Sequence, residues 1–509
     1  MELEFEVHPK LLDVLAQKGA DDASLAVTLN PTYENLISPE EMPNMGNLVK
    51  ALLRSAGRRE KILVWGHEDA DGITAVSVML KTLEKIGAQA GYYIPSKHTE
   101  GHGLNLNSIA DAKKKGYGLV VTVDTGSGDL DVVEEAQKIG VEVLLTDHHE
   151  LVRSTEGVVV VNPKLGGAFR YLAGVGVAFK VAWATLGLKF NYTLADLERE
   201  LPELLAYVAI GTVADKVPLF SENKALVDRG REVLARYSFP FVKAYERVRG
   251  QRPSLEALIS IISAGKSQGY YHPGVELLTT QDEARAEELV AELVRASEEW
   301  YAKAEALYRE ILPKIKRVKG YILVDLGETE PGFLSYISSK LKTRFDVPVI
   351  ALGRRDDGKV IAEIRAPYGY NILDLLEHLS TLLLDYGGHP LAGGFTMEPE
   401  YLPDLAEEVE YYFSHGKAKF DETRGADLVL EASDPEAQEL LDNAERLGKL
   451  GVEIRFLVQG DAKEVSELFT RYEVEDPEGL LSLYPPGKRV RVMAVSQPAG
   501  YRIEHAWAE

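Results

Sequence analysis

Four short runs of apolar, mostly β-branched residues follow one another at 62–65, 119–123, 141–145 and 158–161, and a polar cluster closes each of the first three. Segments with helical spacing, such as 73–86 and 130–139, lie between them. Strands that are apolar on both faces must be buried on both, and their alternation with helices predicts a parallel sheet covered on each side. Ligands of such sheets gather beyond the carboxyl ends of the strands. The clusters sit there: His67-Glu68-Asp69-Ala70-Asp71-Gly72 after the first run, Asp124-Thr125-Gly126 after the second, Asp147-His148-His149 after the third. The pattern sets an α/β class and marks where chemistry belongs.

The chain has no cysteine, so any bound metal must be held by imidazole and carboxylate. His67, Asp69 and Asp71 alternate, and extended backbone sends alternate side chains the same way, so the three are expected to converge on one point. Alone they are an ordinary acidic loop. Asp124 ends a buried run, where a carboxylate is costly without a partner; service as a helix cap is its plainer role, but Asp129 fits that better. In Asp147-His148-His149 one ring can bind metal while the other faces a substrate. Asp215, in the stretch GTVADKVPL, follows an apolar helix whose C-terminal dipole disfavours an acid, so something else must hold it there. Four segments closing apolar elements with an acid or histidine are hard to ascribe to coincidence.

With 509 residues the chain exceeds one core. We read 1–220 as the α/β domain with an N-terminal extension, and 221–315 as a mainly helical insertion containing a long helix at 281–312. A second α/β block follows at 316–415, and an α+β extension at 416–509, with a helix near 435–447 and a strand near 488–495.

The series HEDADG, VDTG, TDHHE and GTVADKVPL resembles the four signature motifs of DHH phosphoesterases, in that family's order, and 172–180 (LAGVGVAFK) resembles the segment between the third and fourth motifs of RecJ-type nucleases. The likeness spans roughly 45–400. It implies a parallel-sheet DHH domain and a smaller α/β DHH-associated domain across a cleft. It also implies that His67, Asp69, Asp71, Asp124, His148 and Asp215 ligate two divalent ions, Asp124 bridging them, with His149 on the scissile phosphate and Asp147 orienting its neighbours. Oxygen ligands with two imidazoles favour manganese over magnesium. Gly387-Gly388-His389 resembles the GGH motif of the associated domain, which makes Gly388 and His389 candidate phosphate binders in a glycine-rich turn. Arg365 is a further candidate against the plainer reading of an ion pair, Asn371 against that of a helix cap. Lys266 stands in Ser263-Ala264-Gly265-Lys266 where RecJ-like proteins tend to have Asn-Ala-Gly-Arg; a lysine lacks arginine's two-pronged grip.

The motif spellings look most like archaeal RecJ-like proteins, including the GINS-associated nuclease. That likeness implies exonucleolytic digestion of single-stranded DNA or RNA, with GINS or another replisome protein as partner. An oligonucleotide or cyclic-dinucleotide phosphodiesterase and a metal-free replication scaffold are the alternatives. Lys+Arg 57 against Asp+Glu 80 gives a net charge of −23, which repels polyanions. A nuclease would then need a local basic path, for which Arg354-Arg355, Lys314-Lys316-Arg317-Lys319 and Lys340-Lys342-Arg344 are candidates. No apolar run is long enough to span a bilayer, and the opening MELEFEVHPK lacks the regions of a signal peptide, so a cytoplasmic location is expected.

Overall fold

The computed structural model describes residues 6–96, 100, 103–151, 153–315, 320–355, 357–415, 421, 423 and 425–508. Lys316, Arg317 and Lys319 of one basic cluster lie outside them.

The apolar runs become the strands of one parallel sheet: β1 (Lys61–Trp65), β2 (Gln89–Tyr93), β3 (Tyr117–Thr122), β4 (Glu142–Thr146) and β5 (Val160–Val161), in the order β2-β1-β3-β4-β5. Side chains alternate across a strand. Ile62 and Val64 therefore enter the core on one face, while Leu63 and Trp65 enter a separate core on the other. The chain leaves β1 on one side for β2, then crosses back to β3 on the other. The crevice that opens at such a reversal lies between the carboxyl ends of β1 and β3.

The helices Ala70–Lys85, Gly174–Phe190 and Glu203–Asp215 pack against one another over the first face. Five more follow: Ser221–Arg236, Pro240–Arg249, Leu255–Ser263, Pro273–Thr279 and Glu283–Ile311. Their residues Leu226, Phe241, Leu258, Leu277 and Leu289 join the same core as Ile62, so these helices are built onto the first helical layer. The last runs 29 residues toward the second block, where Trp300 packs on Phe333 and Tyr336.

The second block holds β6 (Ile322–Glu328), β7 (Val349–Arg354), β8 (Val360–Arg365), β9 (Asp385–His389) and β10 (Ala392–Met397), ordered β6-β7-β8-β10-β9. Only β6 and β7 pair in parallel; the rest is antiparallel. The C-terminal region forms a third sheet from β11 (Leu428–Glu431), β12 (Arg455–Asp461), β13 (Val474–Glu475), β14 (Arg489–Gln497) and β15 (Gly500–Ala508), backed by the helix Ala437–Lys449. It touches both other parts. The His8 amide donates to Asn443 Oδ1 at 3.1 Å, Lys18 pairs with Asp427 at 2.9 Å, and the Arg455 guanidinium lies 3.7 Å from the centre of the Tyr368 ring. Among the described residues no helix is long and apolar enough to cross a membrane.

Candidate metal centre

Each candidate ligand owes its direction to a local feature of the backbone. Asp69 is extended and caps the helix Ala70–Lys85, its Oδ1 accepting the Gly72 amide at 2.9 Å. Because the helix starts at Ala70, Asp71 already lies on its first turn. The extended alternation expected for His67, Asp69 and Asp71 therefore stops at Asp69, and the three do not converge on one point. Asp124 follows β3 in the left-handed region at φ 58°, a conformation Asp tolerates better than most side chains. Asp215 ends its helix, and Lys216 reverses the chain at φ 61°.

The six acids and imidazoles form two groups that meet at Asp124. In the first, His67 Nδ1 lies 2.8 Å from Asp69 Oδ2 and 3.8 Å from Asp124 Oδ2. In the second, His148 Nε2 lies 3.1 Å from Asp124 Oδ1, 3.7 Å from Asp215 Oδ2 and 4.0 Å from Asp71 Oδ2. Within the trios His67–Asp69–Asp124 and Asp71–His148–Asp215, ligand atoms lie within 4.8 Å of one another. Asp124 thus turns one oxygen to each group. His148 Nε2 and Asp215 Oδ2 are buried without a hydrogen-bond partner. Buried polar atoms normally have one, so these donors fit divalent cations.

Electrostatics favour the same reading. Burial first, then repulsion from Asp124 and Asp215, pushes the Asp71 carboxyl well above its ordinary range. Burial and Asp69 do the same to Asp124, and burial raises Asp215 against the pull of His148. A cation among them reverses that tendency.

Asp147 is buried and hydrogen-bonded on both oxygens: Oδ1 accepts the His148 amide at 2.8 Å, and Oδ2 the Ser127 amide at 2.9 Å. His149 Nδ1 lies 2.7 Å from Oδ1, donating to the carboxylate. Burial is the largest single influence and opposes both charges, but the hydrogen bond and the attraction between the two charges together overcome it, holding Asp147 far down and raising His149 to about 9. The His149 side chain is 56% exposed, so its cation faces outward.

Several positioning residues escape notice in the sequence. The Gly174 and Val175 amides donate to Asp71 Oδ2 and Oδ1 at 2.7 and 2.8 Å, and a side chain on Gly211 would come within 2.9 Å of Asp71 Oδ1. Asn162 is fully buried; its Nδ2 donates to the His149 carbonyl at 2.9 Å and to Ser127 Oγ at 3.1 Å. A glycine opening a helix at 174 and the Asn-Pro turn at 162–163 were the available signals.

The substrate candidates fare less uniformly. Gly387, Gly388 and His389 lie on the exposed strand β9 and not in a glycine-rich turn; the turn is Pro390-Leu391. Gly388 must be glycine because it faces Gly393 across the hairpin at a distance no side chain fits. Burial opposes the charge of Glu150, beside His149, but Lys164, then Arg170 and least of all His389 lower that carboxyl, which sets His389 within electrostatic reach of it. Lys266 Nζ lies 3.6 Å from Glu330, and its neighbour Ser267 donates its amide to Glu68 of the first motif at 2.5 Å, which sets this loop beside the centre. Arg365 bonds Glu363 at 2.8 Å and Ser335 at 3.2 Å. Asn371 caps the helix Ile372–Leu379, its plainer role. Four members of the basic clusters are ion-paired: Arg354 with Asp325 at 2.7 Å, Lys340 with Glu305 at 2.6 Å, Lys314 with Glu310 at 2.7 Å, and Arg355 with Asp357. Asp129 takes the cap position of its helix without a side-chain cap bond; its carboxylate accepts the Leu104 amide at 2.9 Å.

A doubly covered parallel sheet with acids and imidazoles at its reversal point, joined to a second mixed-sheet block, is the architecture of DHH proteins. The family model described as DHH family, N-terminal domain matches residues 61–212, and that of the DHHA1 domain matches 319–415. The single-stranded-DNA-specific exonuclease RecJ of Dickeya dadantii is 31% identical over 424 residues, covering 76% of this chain and 72% of that protein. The RecJ of Bacillus subtilis is 34% identical over 431 residues, covering 80% of this chain; the chain spans about half, 52%, of that relative's length. A crystal structure of exonuclease RecJ bound to manganese superposes with a TM-score of 0.62 at 27% identity, covering 73% of this chain and 95% of that one. RecJ of Thermus thermophilus in complex with Mn2+ gives 0.68 at 22% identity, over 99% and 78%, a likeness of fold. The chain belongs to the RecJ family.

Proposed function

We propose that this chain is a metal-dependent exonuclease hydrolysing phosphodiester bonds in single-stranded DNA, in replication or repair, with two divalent ions and manganese preferred to magnesium. One observation supports this above the others: the buried Asp124 carboxylate turns one oxygen to the His67–Asp69 group and the other to the group of Asp71, His148 and Asp215. His67, Asp69 and Asp124 would hold one ion, and Asp71, Asp124, His148 and Asp215 the other. Such ions, when bound, supply an acidified water and neutralise phosphoryl charge.

The chain's own residues do the orienting. Asp147 fixes the His149 ring and keeps it cationic, so that an exposed donor meets the scissile phosphate. His389 approaches from the second block, on the side of Glu150. Lys266 borders the centre from the loop docked on Glu68. Single-stranded RNA as a second substrate and a GINS-type replication partner also belong to this proposal and stand on resemblance; cytoplasmic residence belongs to it too, supported by the lack of a membrane-spanning helix among the described residues.

The test is a single strand labelled at either end, incubated with manganese and then with a chelator, beside the Asp124→Asn variant. Shortening from one end that needs metal and is lost in the variant is expected. Equal turnover in the variant ends the enzyme reading, and preference for di- and trinucleotides over long strands moves it to an oligonucleotide hydrolase. Copurification that retains no replication protein removes the partner.

A further inference from the structure

We propose that Lys164 and Arg170 form a second phosphate-binding subsite beside His149, which the Glu150 carboxylate occupies until a strand displaces it. The inference rests on the nuclease reading above and deepens it.

Two cations from the loop after β5 converge on one carboxylate from the loop after β4. Lys164 Nζ lies 3.0 Å from Glu150 Oε1, and Arg170 Nη2 lies 3.7 Å from Oε2. Their exposures are unequal in a telling way. The Lys164 side chain is 10% exposed and lies 4.4 Å from the centre of the Tyr171 ring, whereas Glu150 is 58% exposed and Arg170 48%. The cation is thus built into the wall and the anion lies over it from the solvent side. Arg170, beyond hydrogen-bond distance of Glu150, keeps its planar donor fork available for phosphate oxygens.

The subsite is tied to the centre by backbone. Asn162 Oδ1 accepts the Lys164 amide at 2.9 Å, and the same side chain donates to the His149 carbonyl at 2.9 Å. Lys164 and His149 are therefore held by one buried residue, and a strand lying on His149 passes the two cations. His389 also lies within electrostatic reach of Glu150. Two cations against one acid leave a local excess of positive charge in a chain of net charge −23, where Lys314, Lys340, Arg354 and Arg355 of the other basic clusters are each paired with an acid. Trading the carboxylate for a phosphate keeps both cations paired and releases Glu150 to water.

The experiment measures binding of a labelled oligothymidylate to the full chain by fluorescence anisotropy across a salt series, with EDTA present to prevent hydrolysis. Lys164→Gln and Arg170→Gln are expected to weaken binding severalfold and to reduce the slope of log K against log salt by about 0.7 each, as for a lost single-strand phosphate contact. Glu150→Gln is expected to tighten binding, and that gain should vanish when both cations are also replaced. A purely structural ion pair predicts the reverse for Glu150→Gln: a lower melting temperature and binding no tighter. That result, or unchanged salt slopes, overturns the subsite. Arg170 is exposed enough for its variant to fold if Lys164→Gln does not. Strands with 5′-phosphate, 3′-phosphate or hydroxyl ends separate a terminal phosphate from an internal diester, and a slope change in any of them supports the subsite. If the parent chain cleaves single strands but the variants match it in binding, this inference alone fails; a parent that neither binds nor cleaves them removes the nuclease reading as well.

Discussion

The Gly174 amide donates to Asp71 Oδ2 at 2.7 Å, while the open face of the same residue lies against Asp124, where a side-chain carbon would come within 2.5 Å of Cβ. One glycine therefore orients the first of these acids and makes room for the second. Alanine is the better helix former at this position, so any loss in Gly174→Ala comes from that clash. We expect manganese affinity to fall about 10–100-fold, the range for residues that orient ligands, read by titration calorimetry on a variant that still melts cooperatively.

Asp124→Asn keeps a side chain that accepts the left-handed backbone at φ 58° and removes only the charge. Turnover of single-stranded DNA should fall on the order of a thousandfold. In the chelated protein the same change should raise the melting temperature, because burial and the neighbouring carboxylates make an ionised Asp124 costly. A chelated variant that melts below its parent would contradict this account of the acids.

Asp147 holds His149 cationic to about pH 9. In metal-free Asp147→Asn the His149 imidazole, followed by NMR, should titrate well below that value. Activity with metal should drop about 10–100-fold, as for loss of an orienting carboxylate.

His272 is buried, caps the helix Pro273–Thr279 through Nδ1, and is lowered by that burial from 6.5 to about 4. A lowered folded-state value means that the unfolded chain binds the proton first. The stabilisation is therefore complete above pH 6.5 and lost as the pH falls toward 4. The window corresponds to about 3 kcal/mol. Asn at this position keeps a capping acceptor, so denaturant unfolding of His272→Asn should show a shallower decline than the parent between those limits. Parallel curves would refute the assignment.

Lys180 and Glu222 form a fully buried ion pair, and Glu222 also accepts the Phe169 amide at 2.8 Å and the Ile37 amide at 3.0 Å. Lys180→Met strands that carboxylate and should cost about 3–5 kcal/mol in urea unfolding. A loss below about 1 kcal/mol would show that the pair adds little beyond packing.

The places where chemistry belongs were legible in the chain itself. Period and composition are local properties, so the runs at 62–65, 119–123 and 141–145 announce buried strands. The acids and histidines closing them announce strand ends, and the spelling of the motifs announces the family. The helix cap at Asn371 follows an equally local rule.

The tertiary structure alone decided how those residues are shared out. Asp71 joins His148 and Asp215, not His67 and Asp69, because the helix begins one residue before it and turns it aside. Asp124 lies between the groups because the sheet order sets β3 beside β1. The GGH stretch became a strand in which Gly388 closely faces Gly393 across the hairpin, and Arg354 and Lys340 found partners in Asp325 and Glu305, acids distant in the sequence that folding brought near. Local propensity is written within a few residues; convergence between segments such as 71, 148 and 215 depends on strand order and helix packing, which no short window of sequence contains.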